Sequence, residues 1–165
     1  MIPELRELKE KKLIGKRLRM ALSDNRTFEL WKSFMPRRKE IRNTITTTDL
    51  ISMQVYEASH DFQNFNPHAA FDKWAAIEVS SFDSIPEGME AFTLPAGLYA
   101  VFIHRGPSSA FEKTFRYIFS TWLPASGYLP DHRPHFELLG EKYKNEHPDS
   151  EEEVWIPVRR ASMLS

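Results

Sequence analysis

Apolar and polar positions change their spacing several times along the chain, and the changes predict its elements. Residues 12–22 (KLIGKRLRMAL) alternate imperfectly, as a half-buried strand does. Ser23-Asp24-Asn25 follows, a turn with helix N-cap side chains. From Arg26 to Arg37 the spacing becomes helical, with Phe28, Trp31 and Met35 on one face and Phe34 beside them. Pro36 and the basic run Arg37-Arg38-Lys39 fall at the helix end, where positive charge complements the dipole. Residues 51–58 and 73–80 read as strands around a loop rich in Asn, Pro and His, and residues 84–88 (SIPEG) as a turn.

The same order then recurs. Residues 91–104 are strand material interrupted by Pro95 and Gly97, and 106–109 form a turn. Phe111, Phe115, Ile118 and Trp122 make an amphipathic helical face ended by Pro124, Ser126 and Gly127. Residues 135–142 and 153–159 read as two further strands joined by a polar hairpin, and residues 1–10 as a short lead-in of one or two helical turns. Leu30 to Pro36 matches Ile118 to Pro124 in character, Ser52 to Tyr56 can be laid against His135 to Leu139, and Ile77-Glu78-Val79 against Ile156-Pro157-Val158. These parallels predict one α+β domain over 1–165, made of two βαββ units (about 12–82 and 90–160) related by a pseudo-two-fold axis. In such a unit a helix covers one sheet face. The two antiparallel sheets are then expected to turn their bare faces into a shared central cleft, a common place for a ligand.

Strand alternation assigns side chains to that cleft. If Val154, Ile156 and Val158 pack under a helix, Trp155 and Pro157 face the cleft; likewise Ala75, Ile77 and Val79 send Trp74, Ala76 and Glu78 there. Taking Met53 and Val55, and Phe136 and Leu138, as helix-packed sets places Gln54, Tyr56, His135, Glu137 and Leu139 in the cleft. Tyr99 lies on a strand beside it. Aromatic walls from Tyr56, Trp74, Tyr99 and Trp155 with the Glu137 carboxylate suit a flat or amphipathic cation.

Composition narrows the function. Hydrophobic residues are 41% of the 165, enough for one sizeable core. The 22 basic and 23 acidic side chains nearly cancel, which disfavours a dedicated nucleic-acid binder. With no cysteine there is no disulfide, thiolate metal site or cysteine nucleophile. The absence of a long apolar run or a secretory h-region points to a cytoplasmic protein. Neither a phosphate-binding glycine loop nor a Gly-x-Ser-x-Gly elbow occurs. His132 and His135 are weak metal-site candidates, and no metal or cofactor is expected.

Four separated stretches resemble one family. Leu94-Pro-Ala-Gly-Leu-Tyr-Ala-Val-Phe-Ile-His-Arg-Gly106, Trp122-Leu-Pro-Ala-Ser-Gly-Tyr128, Pro134-His-Phe-Glu137 and Trp155-Ile-Pro-Val158 are similar, in that order, to the GyrI-like effector-binding domains. These are also the ligand-sensing part of bacterial AraC-type and multidrug-responsive transcription regulators. The resemblance implies the duplicated βαββ fold and places the family's recurrent cleft glutamate on Glu137. Leu139 stands where a tyrosine is frequent, so the chemistry beside Glu137 departs from the drug-binding members. About ten residues precede the first expected strand, so the chain reads as a stand-alone sensor or sequestering module for a small organic ligand, without direct DNA binding, with a regulator or a second copy as conceivable partner. Two other readings stay open. One is a hydrolase using Glu137 as general base with Tyr99 or Tyr56; the other is a protein-interaction module of the gyrase-inhibitor kind.

Overall fold

A computed structural model describes residues 1–46 and 48–161. The elements are β1 (Glu4–Leu8), β2 (Lys11–Met20), α1 (Thr27–Phe34, tightening into a 3-10 turn at Met35–Glu40), β3 (Leu50–Tyr56), β4 (Phe71–Val79), β5 (Glu90–Leu94) and β6 (Gly97–Arg105). After these come α2 (Phe111–Tyr117, continued by a π-helical turn at Ile118–Trp122 and a last turn at Leu123–Ala125), β7 (Tyr128–Pro130), β8 (His135–Leu139) and β9 (Glu151–Arg160). The nine strands form an antiparallel sheet in the order β1-β6-β9-β8-β3-β4-β2-β5, with β7 beside β9. β8 and β3 pair at the middle of that order. Met53 pairs with Phe136 across this junction.

Two short links shape the sheet. Only Lys9 and Glu10 separate β1 from β2, yet β1 lies at one end of the order and β2 six places away. Six strand spacings span roughly 29 Å in a flat sheet. Two linking residues reach at most about 11 Å. Pro95 and Ala96 impose the same constraint on β5 and β6. The sheet therefore curls until its ends approach, and Leu8 and Leu94 meet in one core cluster.

The concave interior holds Leu13, Met53, Trp74, Tyr99, Val101, Phe136 and Trp155. Trp155 stacks on Phe136 at 5.1 Å, and Tyr99 meets the edge of both rings. Both helices lie on the other, convex face. α1 covers Ile14, Ala75, Ile77 and Val79; the α2 segment covers Ala100, Phe102, Val154, Ile156 and Val158.

Several sequence expectations change here. Residues 4–8 are an edge strand rather than helical turns, and the stretch 91–104 splits into two strands, β5 at one end of the order and β6 next to the other end. More consequential is the sign of the alternation in β3 and β8. Met53, Val55, Phe136 and Leu138 face the concave interior beside Trp74 and Trp155, not the helices. Gln54, Tyr56, His135, Glu137 and Leu139 consequently share the helix-bearing face. Alternation gives parity but not direction. The sheet buries both faces, so an apolar set need not be the one under a helix. The bare faces expected to enclose a cleft are filled by the protein's own side chains.

Tight coiling leaves no room at Gly15 in β2. A Cβ there would lie 2.1 Å from the Ala75 carbonyl oxygen and 2.8 Å from the Ala76 Cβ. Gly15→Ala should cost about 1–3 kcal/mol, the usual penalty of overpacking. Urea unfolding checks this: a midpoint equal to wild type would mean that the strands part without strain.

Candidate functional site

The central strands β3 and β8 pass between the two helices. Their helix-bearing face carries Ser52, Gln54, His135 and Glu137, all buried. These polar groups occupy the middle of a sheet face whose flanks are apolar. Gln54 Nε2 donates to Glu137 Oε1 at 3.1 Å, and the Lys73 ammonium from β4 lies 3.6 Å from the same oxygen. Glu152, on β9, faces the same side. Burial raises the Glu137 carboxyl above the usual range, with Lys73 and Gln54 opposing. Burial also pushes Glu152 up to about 7, helped by the Glu137 charge and opposed by Lys73. The buried Glu137 carboxyl and the half-buried Glu152 carboxyl thus lie near one ammonium, and burial holds both back from ionising.

An aromatic group closes over one side of this cluster. Tyr56 ends β3, with its ring edge-on to His135 at 5.0 Å. Its phenol is pushed well above the usual range, first by burial and then by the Glu137 charge. Phe62, from the connection 57–70, lies 4.9 Å from His135 and 5.7 Å from Phe119, with planes within 20° and 12° of parallel. His60 and Tyr56 meet the same Phe62 ring edge-on. Phe119 comes from the π-helical turn, whose extra residue shifts the helical face by one position. That shift explains why Phe119 lies outside the 111-115-118-122 stripe of the sequence and yet reaches His135, at 5.9 Å.

The residues singled out from sequence therefore divide. Glu137, Gln54 and Tyr56 come together, and Leu139 lies on the same face with Leu50 as its strand partner. Trp74, Trp155 and Tyr99 lie on the concave side. Trp155 donates its indole N–H to Glu153, and Trp74 packs against Phe92. The Tyr99 hydroxyl donates to the Pro134 carbonyl at 2.8 Å, and burial pushes its phenol up to about 12 despite Arg133 nearby. The sheet thus separates Glu137 from Tyr99, and a base–phenol pair of these two is not assembled. Lys73, Glu152, Phe62 and Phe119 belong to the site without having been singled out. Lys73 opens a predicted strand, a signal that alternation could have used, whereas Glu152 precedes the predicted strand 153–159 and joins the site because β9 begins earlier, at Glu151.

Residues 1–159 match the family described as the GyrI-like small molecule binding domain. The chain belongs to that family. Transcriptional regulator BrlR of Pseudomonas aeruginosa is 30% identical over 131 residues, which cover 79% of this chain and 45% of BrlR, so the chain spans about half that regulator's length. Among solved structures, a putative transcription regulation protein of Staphylococcus aureus MU50 superposes with a TM-score of 0.71 at 15% identity, covering 96% of this chain and 99% of its own. SAV2435 bound to tetraphenylphosphonium superposes with 0.69 at 15% identity, covering 96% and 94%. This GyrI-like domain is a small-molecule binding domain related to the effector domains of bacterial transcriptional regulators. No helix among its described residues is long and apolar enough to cross a membrane.

The raised carboxyls of this GyrI-like domain make its stability depend on pH. The unfolded chain releases the Glu152 proton near the ordinary value, about 4.5, whereas the folded chain holds it to about 7. The folded state therefore binds more protons in that window and loses stability as pH rises through it. His135 works in the opposite sense, because burial holds its ring neutral down to about 3. Glu152→Gln isolates the first contribution. Its stability should gain on wild type between about pH 5 and about pH 7.5 in chemical denaturation; a difference that stays constant would mean Glu152 titrates as a solvated acid.

Proposed function

We propose that this domain binds a lipophilic aromatic cation between the two helices, with Glu137 as its counter-charge. The observation that carries this reading is the burial of Glu137 at the sheet centre with compensation from one amide and a lysine 3.6 Å away. A desolvated carboxylate costs several kcal/mol unless it is well paired. An organic cation placed beside it regains that energy, and the rings of Tyr56 and Phe119 supply apolar contact and cation–π attraction. Glu152, near its midpoint of ionisation at neutral pH, adds a second carboxylate that a bound cation draws into the charged form. The structural likeness to SAV2435, which is bound to a phosphonium cation, supports the same ligand class. Recognition by charge and ring surface, with few directional contacts, fits sensing or sequestering of a range of compounds rather than selection of one metabolite.

The test is titration calorimetry with tetraphenylphosphonium and with neutral triphenylphosphine oxide. Glu137→Gln keeps shape and polarity but removes the charge. It should weaken the cation about tenfold or more, the loss expected of a buried charge partner, and leave the neutral compound within about twofold. Equal cation affinity in the two proteins would overturn the assignment of Glu137.

A further inference from the structure

His135 is 2% exposed, and neither of its ring nitrogens has a hydrogen-bond partner among the described residues. A neutral imidazole carries one donor and one acceptor, and leaving either unpaired in the interior is costly. Such a group in a native fold calls for an explanation. The ring stands in the Glu137 face of β8, among Tyr56, Phe62 and Phe119. Two of these neighbours, Tyr56 and Phe119, sit on regular elements. Phe62 does not: the connection 57–70 contains no helix or strand, and side-chain-to-backbone turns at Asp61 and Asn66 order it locally. A connection this long without secondary structure is uncommon in a compact domain and is often a functional lid. On its outer side lies an open hollow of about 430 Å³ lined by residues including Arg19, Glu57, His60 and Ala70.

We propose that Phe62 occupies the place of the ligand's aromatic ring, and that an incoming ligand displaces it and hydrogen-bonds to His135. The inference rests on the cation-binding reading above and narrows it to flat aromatic cations that carry an N–H group. Phe62 shows where such a ring goes: nearly parallel to His135 and Phe119 and edge-on to Tyr56. His135 supplies the selectivity. A ligand N–H pairs with the acceptor nitrogen, whereas a ligand without one leaves the imidazole as it is. The hollow outside the loop receives the displaced Phe62 ring. Because the site is competent only when Phe62 is out, the apparent affinity is lowered by the fraction of time it is in.

Two probes and three variants of the full chain test this by calorimetry. Tetraphenylphosphonium has no hydrogen-bonding group; ethidium is flat, cationic and carries two aromatic amines. Phe62→Ala should bind both probes roughly tenfold more tightly. His135→Phe should weaken ethidium roughly tenfold and leave tetraphenylphosphonium within about twofold. Phe62→Leu and His135→Gln provide second variants should a first one melt early, with Leu intermediate and Gln retaining ethidium binding. Weaker binding of both probes by Phe62→Ala would make Phe62 a wall of the site and overturn the inference. Equal losses for both probes in His135→Phe would do the same. Glu137→Gln separates the two levels: if it binds both cations as wild type does, the cation-binding reading itself fails. Absence of binding in every variant, Phe62→Ala included, would dismiss both.

Discussion

Two links of two residues each, Lys9-Glu10 and Pro95-Ala96, oblige an eight-place order of strands to bend back on itself. Once the sheet is curled, its concave side must be filled, and the large apolar side chains of every strand go there. Trp74, Phe136 and Trp155 become interior packing. The alternate positions of the same strands then emerge on the convex side. The outer strands present apolar residues to the helices. The central pair presents Ser52, Gln54, His135 and Glu137 to the gap between them. A polar, charge-deficient patch in the middle of a buried face is thus a consequence of how the chain closes.

That patch is unstable in a useful sense. Net stability of a domain this size is on the order of 10 kcal/mol, so a buried carboxylate with weak compensation is a large concession. Lys73 and Gln54 offset part of it, and the Phe62–Phe119–Tyr56 rings keep water from offsetting the rest. A carboxyl that ionises in a low-dielectric site attracts a cation more strongly than the same charge on a surface. The same features that cost folding energy therefore serve binding.

Much of this was legible in the sequence, and the part that was not has a physical cause. The runs β2-α1-β3-β4 and β6-α2-β8-β9 followed from spacing, whereas β5 was not separated from β6 and β7 was not seen, and four motifs resembled the GyrI-like family. β1 escaped because Glu4, Arg6 and Glu7 make it look like solvated lead-in, when it is an exposed edge. The sites split differently from the expectation because Met53 and Phe136 are as apolar as Ala75 and Val154, and residue type does not say which of two buried faces a set belongs to. Pairing does: Ser52 opposite Glu137, and Glu137 opposite Val154, tie Glu137 to the helix-bearing face. The contribution of Phe119 depends on one extra residue in a π-helical turn, and that of Phe62 on a connection with no periodicity at all.

The central claim is that the ligand sits on the helix-bearing face against Glu137, and a crystal structure of the domain with tetraphenylphosphonium addresses it most directly. The account predicts phosphonium density between the helices, beside the Glu137 carboxylate, with the Phe62 ring turned away from His135. Density lodged instead between Trp74 and Trp155 on the concave side, with the convex face unchanged, would contradict it.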